Sequence, residues 1–332
     1  MSTKRTLAAA ALVVSLAATA VIAEQRCVYL DSRGQTKVVR SINQVPAQSR
    51  GRARCGEIMQ NMHLAAPQEV ELGATVRRDS IATSLGRVEL RWPRKIETLF
   101  GRTPQRAVAE SMQAASRALK GRGFPIELQR LDVQWQMVFL DEDLPETQIP
   151  AYLVSNCHPA WMTPPTNLYV VAQRVVAGCG GSSKGKASVN DGELASVLLH
   201  EIGHAVEYQM LQGKGDADRM RAEGFASWFE QYSGDFSPLI AEDAAKRRYF
   251  AMAKASIGRS SFFEFDGSGA AYARASLIFH ALVDRKGFEG LRAAYSHMAN
   301  SGAGLLQALE ALYDWNQQKI ESESLRILER SP

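Results

Sequence analysis

The chain has 332 residues, 45% of them hydrophobic and 22% charged, which suits a water-soluble protein with a sizeable core. The formal charge of +4 is mild, and acids and bases are interspersed. No nucleic-acid module is evident, and the basic stretch RGRAR at 50–54 reads as solvated surface, so no nucleic-acid partner is expected.

The first residues have the layout of an export signal. MSTKR is a short basic start, and TLAAAALVVSLAATAVIA is an apolar run ending in small residues. Val21 and Ala23 stand three residues and one residue before a cleavage site at Glu24. The expected signal peptide is therefore 1–23, and the run is short for a membrane anchor. The mature chain is expected to be exported, periplasmic or secreted, with no stable membrane span after cleavage. Cys27, Cys55, Cys157 and Cys179 all follow that site. An even count in an exported chain reads as two disulfides. Sequence neighbours suggest Cys27–Cys55 and Cys157–Cys179, and the two other connectivities stay open.

Residues 24–56 read as a small disulfide-bonded β module. CVYLDSRGQTKVV alternates like a strand pair with a turn at 31–34. This stretch resembles small N-terminal domains of many exported bacterial proteins, in which a hairpin beginning VY turns at DxxG. Residues 57–86 lack a strong period and are expected to form a linker. The main domain is expected over 87–332, starting at RVELRWP. PQRAVAESMQAASRALKGRG has helical spacing, with Pro104 near its start and Gly121 after it. DVQWQMVFLDED and NLYVVAQRVV read as buried strands, and VSNCHPAWMTPPTN between them as loop. That loop carries His158 beside Cys157. GCGGSSKGKASVNDG is a further loop. Its GGSSKGKA segment is not a phosphate-binding loop, because Ala187 stands where a hydroxyl must bind magnesium. Two helical segments follow, around LLHEIGHAVEYQ at 198–209 and DRMRAEGFASWFEQY at 218–232, and the remainder is mostly helical.

The first of these helices is expected to be capped by Asp191 and ended by Gly213. Inside it, His200, Glu201 and His204 spell H-E-x-x-H. Residues four apart lie on one helix face, about a turn along the axis, so two imidazoles can bind one ion. Glu201 is rotated off that pair, where a general base can reach a bound water without being a ligand. Leu198, Leu199, Ile202, Ala205 and Val206 make the surroundings apolar. The plain alternative is an ordinary core helix with two satisfied histidines. A catalytic zinc needs a third protein ligand. The extended pattern H-E-x-x-H-x-x-G-x-x-H is absent, because Glu207 and Met210 occupy its glycine and histidine positions. RAEGFASWFE instead puts Glu223 near the start of the next helix, which can pack back on the pair. Glu207 and Glu230 compete, although Glu207 follows His204 too closely to swing round. Ser227, one turn past Glu223, is a candidate to hydrogen-bond a ligand.

LLHEIGHAVEY followed by AEGFASWFE resembles the gluzincin zinc metallopeptidases, the thermolysin-like and peptidase-MA-like families. Their pattern is H-E-x-x-H on one helix and a glutamate in an E-G-x-A setting on the next. The match covers residues 194–232; elsewhere only the order of elements is similar. The resemblance implies an α+β, zincin-like metallopeptidase domain with a small mixed sheet, a zinc helix and a helical C-terminal half. It implies His200, His204 and Glu223 as ligands of Zn2+. It also implies Glu201 as general base in hydrolysis of a peptide bond by a zinc-bound water. A peptide or protein substrate is expected to extend along an edge strand before the zinc helix, a role given to NLYVVAQRV. Such families often have a downstream tyrosine or histidine that stabilises the oxyanion. Tyr272 is the candidate, against a plain packing role, with His280 and His297 behind it. The alternative function is a non-catalytic zinc-containing envelope binding protein, against which an intact Glu201 speaks. Substrate specificity and oligomeric state are left open by the sequence.

Overall fold

The computed structural model describes residues 25–30, 36–39, 44, 46, 54–57, 76–100, 104–121, 124, 134–140, 158–177, 189–214 and 218–330. The expected signal segment, Cys157, Cys179 and the GGSSKGKA segment lie outside the described residues. The chain divides into two compact units, Met1–Met59 and Gln60–Pro332.

Among the described residues, the first unit holds three strands: β1 (Gln25–Leu30), β2 (Thr36–Val39) and β3 (Arg54–Glu57). They form an antiparallel sheet in the order β2-β1-β3. The β1–β2 pair follows the alternation in the sequence. β3 is four residues long, RCGE, too short for a period to show. Its register sets Cys55 opposite Cys27. Opposed residues on antiparallel strands have Cα atoms about 4.5–5.5 Å apart, a separation that a disulfide can span.

The second unit is mixed, with a sheet first and helices after it. β4 (Val76–Thr83) and β5 (Gly86–Pro93) form an antiparallel hairpin. A 3-10 turn at Arg94–Thr98 and helix α1 (Gln105–Lys120) lead to β6 (Trp135–Leu140), which runs parallel to β5. β7 (Ala160–Thr163) and β8 (Asn167–Val171) complete the sheet, β8 parallel to β6 and β7 antiparallel to β8. The order is β4-β5-β6-β8-β7. All five residues of β8 and five of the six in β6 are buried, which explains their continuous apolar runs.

Two expectations about this sheet are corrected. The stretch 57–86 contains β4, so it is not all linker. β4 is an edge strand whose sequence, VRRDSIAT, is largely exposed, and such a strand carries no apolar period. VSNCHPAWMTPPTN contains β7, four residues set between turn formers. The edge strand of the sheet is thus AWMT, and NLYVV lies one strand further in.

The helices are α2 (Ala172–Ala177), α3 (Asp191–Met210), α4 (Arg219–Gly234), α5 (Ala244–Ser256), α6 (Gly269–Ser301), α7 (Leu305–Tyr313) and α8 (Gln317–Glu329). The cap of α3 is Asn190 rather than Asp191: its Oδ1 accepts from the Gly192 N–H at 2.8 Å. Asp191 and Glu193 sit in the first turn, where negative charge suits the helix dipole. Past the other end, Gly213 adopts φ +77°, and its N–H closes on the Tyr208 carbonyl at 2.9 Å. α6 breaks direction at Gly287, with φ +66° and ψ −173°. α3 packs against α1, α4 and β7, and Leu194, Leu198, Leu199, Ile202, Ala205 and Val206 on it are fully buried. Among the described residues, no helix is long and apolar enough to cross a membrane.

His280, a candidate from the sequence, belongs to this packing. Its ring stands edge-on to Phe250 at 5.2 Å. Gln231 spends its amide N–H groups on the Ser227 carbonyl and Ser276 Oγ, so its Oε1 faces His280 Nε2 at 2.9 Å. Burial, aided by the charge of Lys246, pushes the His280 pKa from 6.5 down to about 3. Below about 6.5 the unfolded chain takes up a proton that the folded ring refuses until about 3. Folding stability therefore falls as pH drops through that window. Thermal melts at about pH 7 and about pH 5 are expected to show a smaller loss of Tm for His280→Gln than for wild type. Equal losses would mean that His280 is not the group responsible.

Candidate metal centre

The H-E-x-x-H residues lie mid-way along α3, and Glu223 lies in the second turn of α4. Two glycines set how closely the helices approach. A Cβ on Gly203, between the two histidines, would stand 3.0 Å from Ala226 Cα and 3.2 Å from Phe229 Cβ. A Cβ on Gly224 would stand 2.9 Å from both the Cβ and the carbonyl oxygen of Ala275 on α6. So α3 touches α4 beside the histidines, and α4 touches α6 beside Glu223. The E-G-x-A spacing now has a packing explanation: the glycine faces α6 and the alanine faces α3.

These crossings bring three side chains together. Glu223 Oε2 lies 3.3 Å from His200 Nε2 and 3.4 Å from His204 Nε2. One ligand atom from each residue fits within a 4.8 Å cluster that could hold a metal ion. The imidazole rings stand nearly perpendicular, 83° apart with centroids at 5.0 Å. The three side chains are only 14–17% exposed. Burial alone would lower the pKa of His200 and raise that of Glu223. The mutual attraction outweighs it, lifting His200 to about 10 and holding Glu223 well below the carboxylate range. His204 is raised for the same reason, against its burial, by Glu223. The fourth member of the motif, Glu201, is 5% exposed, and its Oε2 has no hydrogen-bond partner. Burial raises its pKa, against the two histidines. An orphaned buried carboxylate oxygen beside two imidazoles and a second carboxylate is a donor set that fits a cation and a water.

Glu230 is not a fourth member of the cluster. It lies seven residues after Glu223, two turns along the same face of α4, and its Oε2 faces His200 Nδ1 at 3.5 Å. Tyr249 donates to Oε2 at 2.7 Å, and Ser196 and Arg248 donate to Oε1. With His200 Nδ1 turned to Glu230, its Nε2 is turned to Glu223, and this fixes which nitrogen is offered to a metal. Glu230, a competitor for the third ligand position on sequence grounds, instead faces the far nitrogen of His200, and its seven-residue offset from Glu223 is the sequence signal for that placement. Ser227 is buried but makes no hydrogen bond to any of the three clustered residues. Glu207, the other rival, accepts from Arg221 Nε at 2.8 Å and Tyr295 Oη at 2.7 Å, and so is held in a buried ion pair.

Tyr272 comes to the edge of the cluster, because it lies one turn before Ala275 on α6. Its ring is 6.0 Å from the His200 ring and 5.4 Å from the Phe265 ring. Its hydroxyl is buried, feels the charge of Glu223, and meets no hydrogen-bond partner in good geometry. Burial first, and Glu223 second, keep it neutral. His158, read from the sequence as part of a loop, lies just before β7 with its ring 6.3 Å from that of Tyr272. Burial depresses its pKa, partly countered by the nearby Glu223. His297 and His280 take no part in the cluster. No protein-family model matches the chain, and no curated protein is significantly similar to it.

The crossing at Gly224 leaves no room for a methyl group. Gly224→Ala is expected to cost about 1–3 kcal/mol in urea unfolding. Gly234→Ala, whose Cβ meets only the Ile240 side chain at 3.7 Å, serves as the control and is expected to cost less. Equal effects would remove the crossing from the account of how the cluster forms.

Proposed function

We propose that the protein is an exported zinc-dependent peptidase of the gluzincin type, with His200, His204 and Glu223 as ligands and Glu201 as general base. The observation that carries this reading is the meeting of the three ligand atoms within 4.8 Å, beside a buried Glu201 oxygen that has no partner. Two imidazoles and one carboxylate suit zinc, and three protein ligands leave a position open for catalysis. Zinc held there supplies a lowered pKa for water and a polarised scissile carbonyl.

The chain's own residues would do the rest. Glu201 takes the proton of the attacking water and hands it to the leaving amine. Glu230 keeps the His200 ring in one orientation. Tyr272, neutral and with an unspent hydroxyl, donates to the developing oxyanion. An extended peptide adds to the outer side of β7, which among the described residues pairs only with β8 and which packs against α3. The zincin-like family, export through the 1–23 segment and the Cys27–Cys55 bridge belong to the same proposal.

Metal content per chain, measured by mass spectrometry on protein purified without chelator, is the first test. Wild type is expected to carry about one zinc, as the three-ligand site requires. Glu223→Ala is expected to lose it, and Glu230→Gln to bind it about 10–100-fold more weakly. Wild type that binds no zinc even when it is offered would sink the reading. Glu201→Gln is expected to keep its zinc and lose about 100–10,000-fold in peptide hydrolysis. Zinc retained with hydrolysis unchanged would leave the metal and remove Glu201 from catalysis.

A further inference from the structure

One cation stands at the mouth of the cluster and is not accounted for by it. Arg219 is the first residue of α4, one turn before Glu223. Its Nη2 lies 4.0 Å from Glu223 Oε1, the carboxylate oxygen turned away from the histidines. The guanidinium sits over the Phe265 ring at 5.6 Å, and Phe265 packs against Tyr272. The side chain is thus steered toward the cluster while remaining 51% exposed. Local helix energetics do not call for it. A cation in the first turn faces the positive end of the helix dipole, and the capping of α4 is done by Asp218, which accepts from the Arg221 N–H at 3.0 Å. Of the acids on the facing loop, Asp266 is tied to the Ser268 N–H at 2.9 Å. A half-exposed planar guanidinium held over an aromatic ring is suited to take a carboxylate in two hydrogen bonds.

We propose that Arg219 binds a substrate carboxylate beside the metal centre, so that the favoured substrates are peptides with a carboxylate close to the scissile bond. That carboxylate comes either from the free C-terminus of the peptide or from an aspartate or glutamate side chain. The inference rests on the metallopeptidase reading and adds the substrate class to it.

Binding, not turnover, tests it. Zinc-loaded wild type, Arg219→Gln and Arg219→Lys are titrated calorimetrically with three peptide hydroxamates of one backbone. The first ends in a free carboxylate, the second in an amide, and the third in an amide with a glutamate side chain added. Wild type is expected to bind at least one carboxylate probe about tenfold or more tightly than the neutral amide. The better of the two shows the source of the charge. Arg219→Gln is expected to keep its zinc and lose the preference, and Arg219→Lys to keep part of it. Equal affinities in wild type, or a preference that survives in Arg219→Gln, would overturn the inference while leaving the peptidase reading in place. Loss of zinc from Arg219→Gln would make Arg219 a positioning residue for Glu223 and overturn it as well. Wild type without zinc, or loaded wild type that binds no hydroxamate, would overturn both.

Discussion

The close crossing of three helices is the constraint on which the cluster depends. Histidines four apart on α3 share a face by helix geometry alone. A carboxylate reaches them only because α4 lies almost backbone to backbone against α3 at Gly203 and against α6 at Gly224. The same contact with α6 carries Tyr272 to the cluster edge. Side chains one methyl larger at either glycine would separate the helices, and protein interiors have no slack to absorb the change elsewhere. The aromatic residues of α4 and α6 hold the crossing in place. Phe225 meets Phe279 at 5.6 Å and Tyr295 at 5.4 Å.

Four glutamates on two adjacent helices show how differently one side chain is used. Glu207 and Arg221 neutralise each other in the interior, with Tyr295 as a further donor, and join α3, α4 and the far half of α6. Such a pair adds little net stability, since burying both charges cancels most of their attraction, but it leaves no polar atom unsatisfied. Glu230 is held by donors from α3 and α5 and acts on His200. Glu223 faces both histidines. Of these four, Glu201 alone keeps a buried oxygen with no partner, next to the charges of His200, His204 and Glu223. A buried acceptor left open costs free energy, and such a cost is typical of sites where a reacting group has still to arrive.

Legibility differed by element for physical reasons. α1 was readable from its period and its flanking Pro104 and Gly121, and β6 from its apolar run; of NLYVVAQRVV, expected as one strand, only NLYVV is β8, and AQRVV belongs to helix α2. β4 and β7 were not readable. One is a polar edge strand and the other is four residues long, and pairing with a neighbour, not composition, makes them strands. Missing β7 shifted the edge of the sheet by one strand, so NLYVV was assigned an exposed role that its complete burial forbids. The cap of α3 moved by one residue because Asn190 and Asp191 are both good caps and only backbone geometry chooses between them.

What the sequence by itself determined is local. Helix periodicity places His200 and His204 on one face and turns Glu201 off it. What only the tertiary structure decided is which distant groups meet them. Glu223, Glu230 and Glu207 are alike as letters, yet one faces the histidines, one steadies a ring and one is spent on an arginine. Arg219, His158 and Tyr272 come to the edge of the cluster from three separate parts of the chain. Those outcomes depend on how closely helices pack and which side chains are left facing inward, and that is set by contacts across the fold rather than by neighbours along the chain.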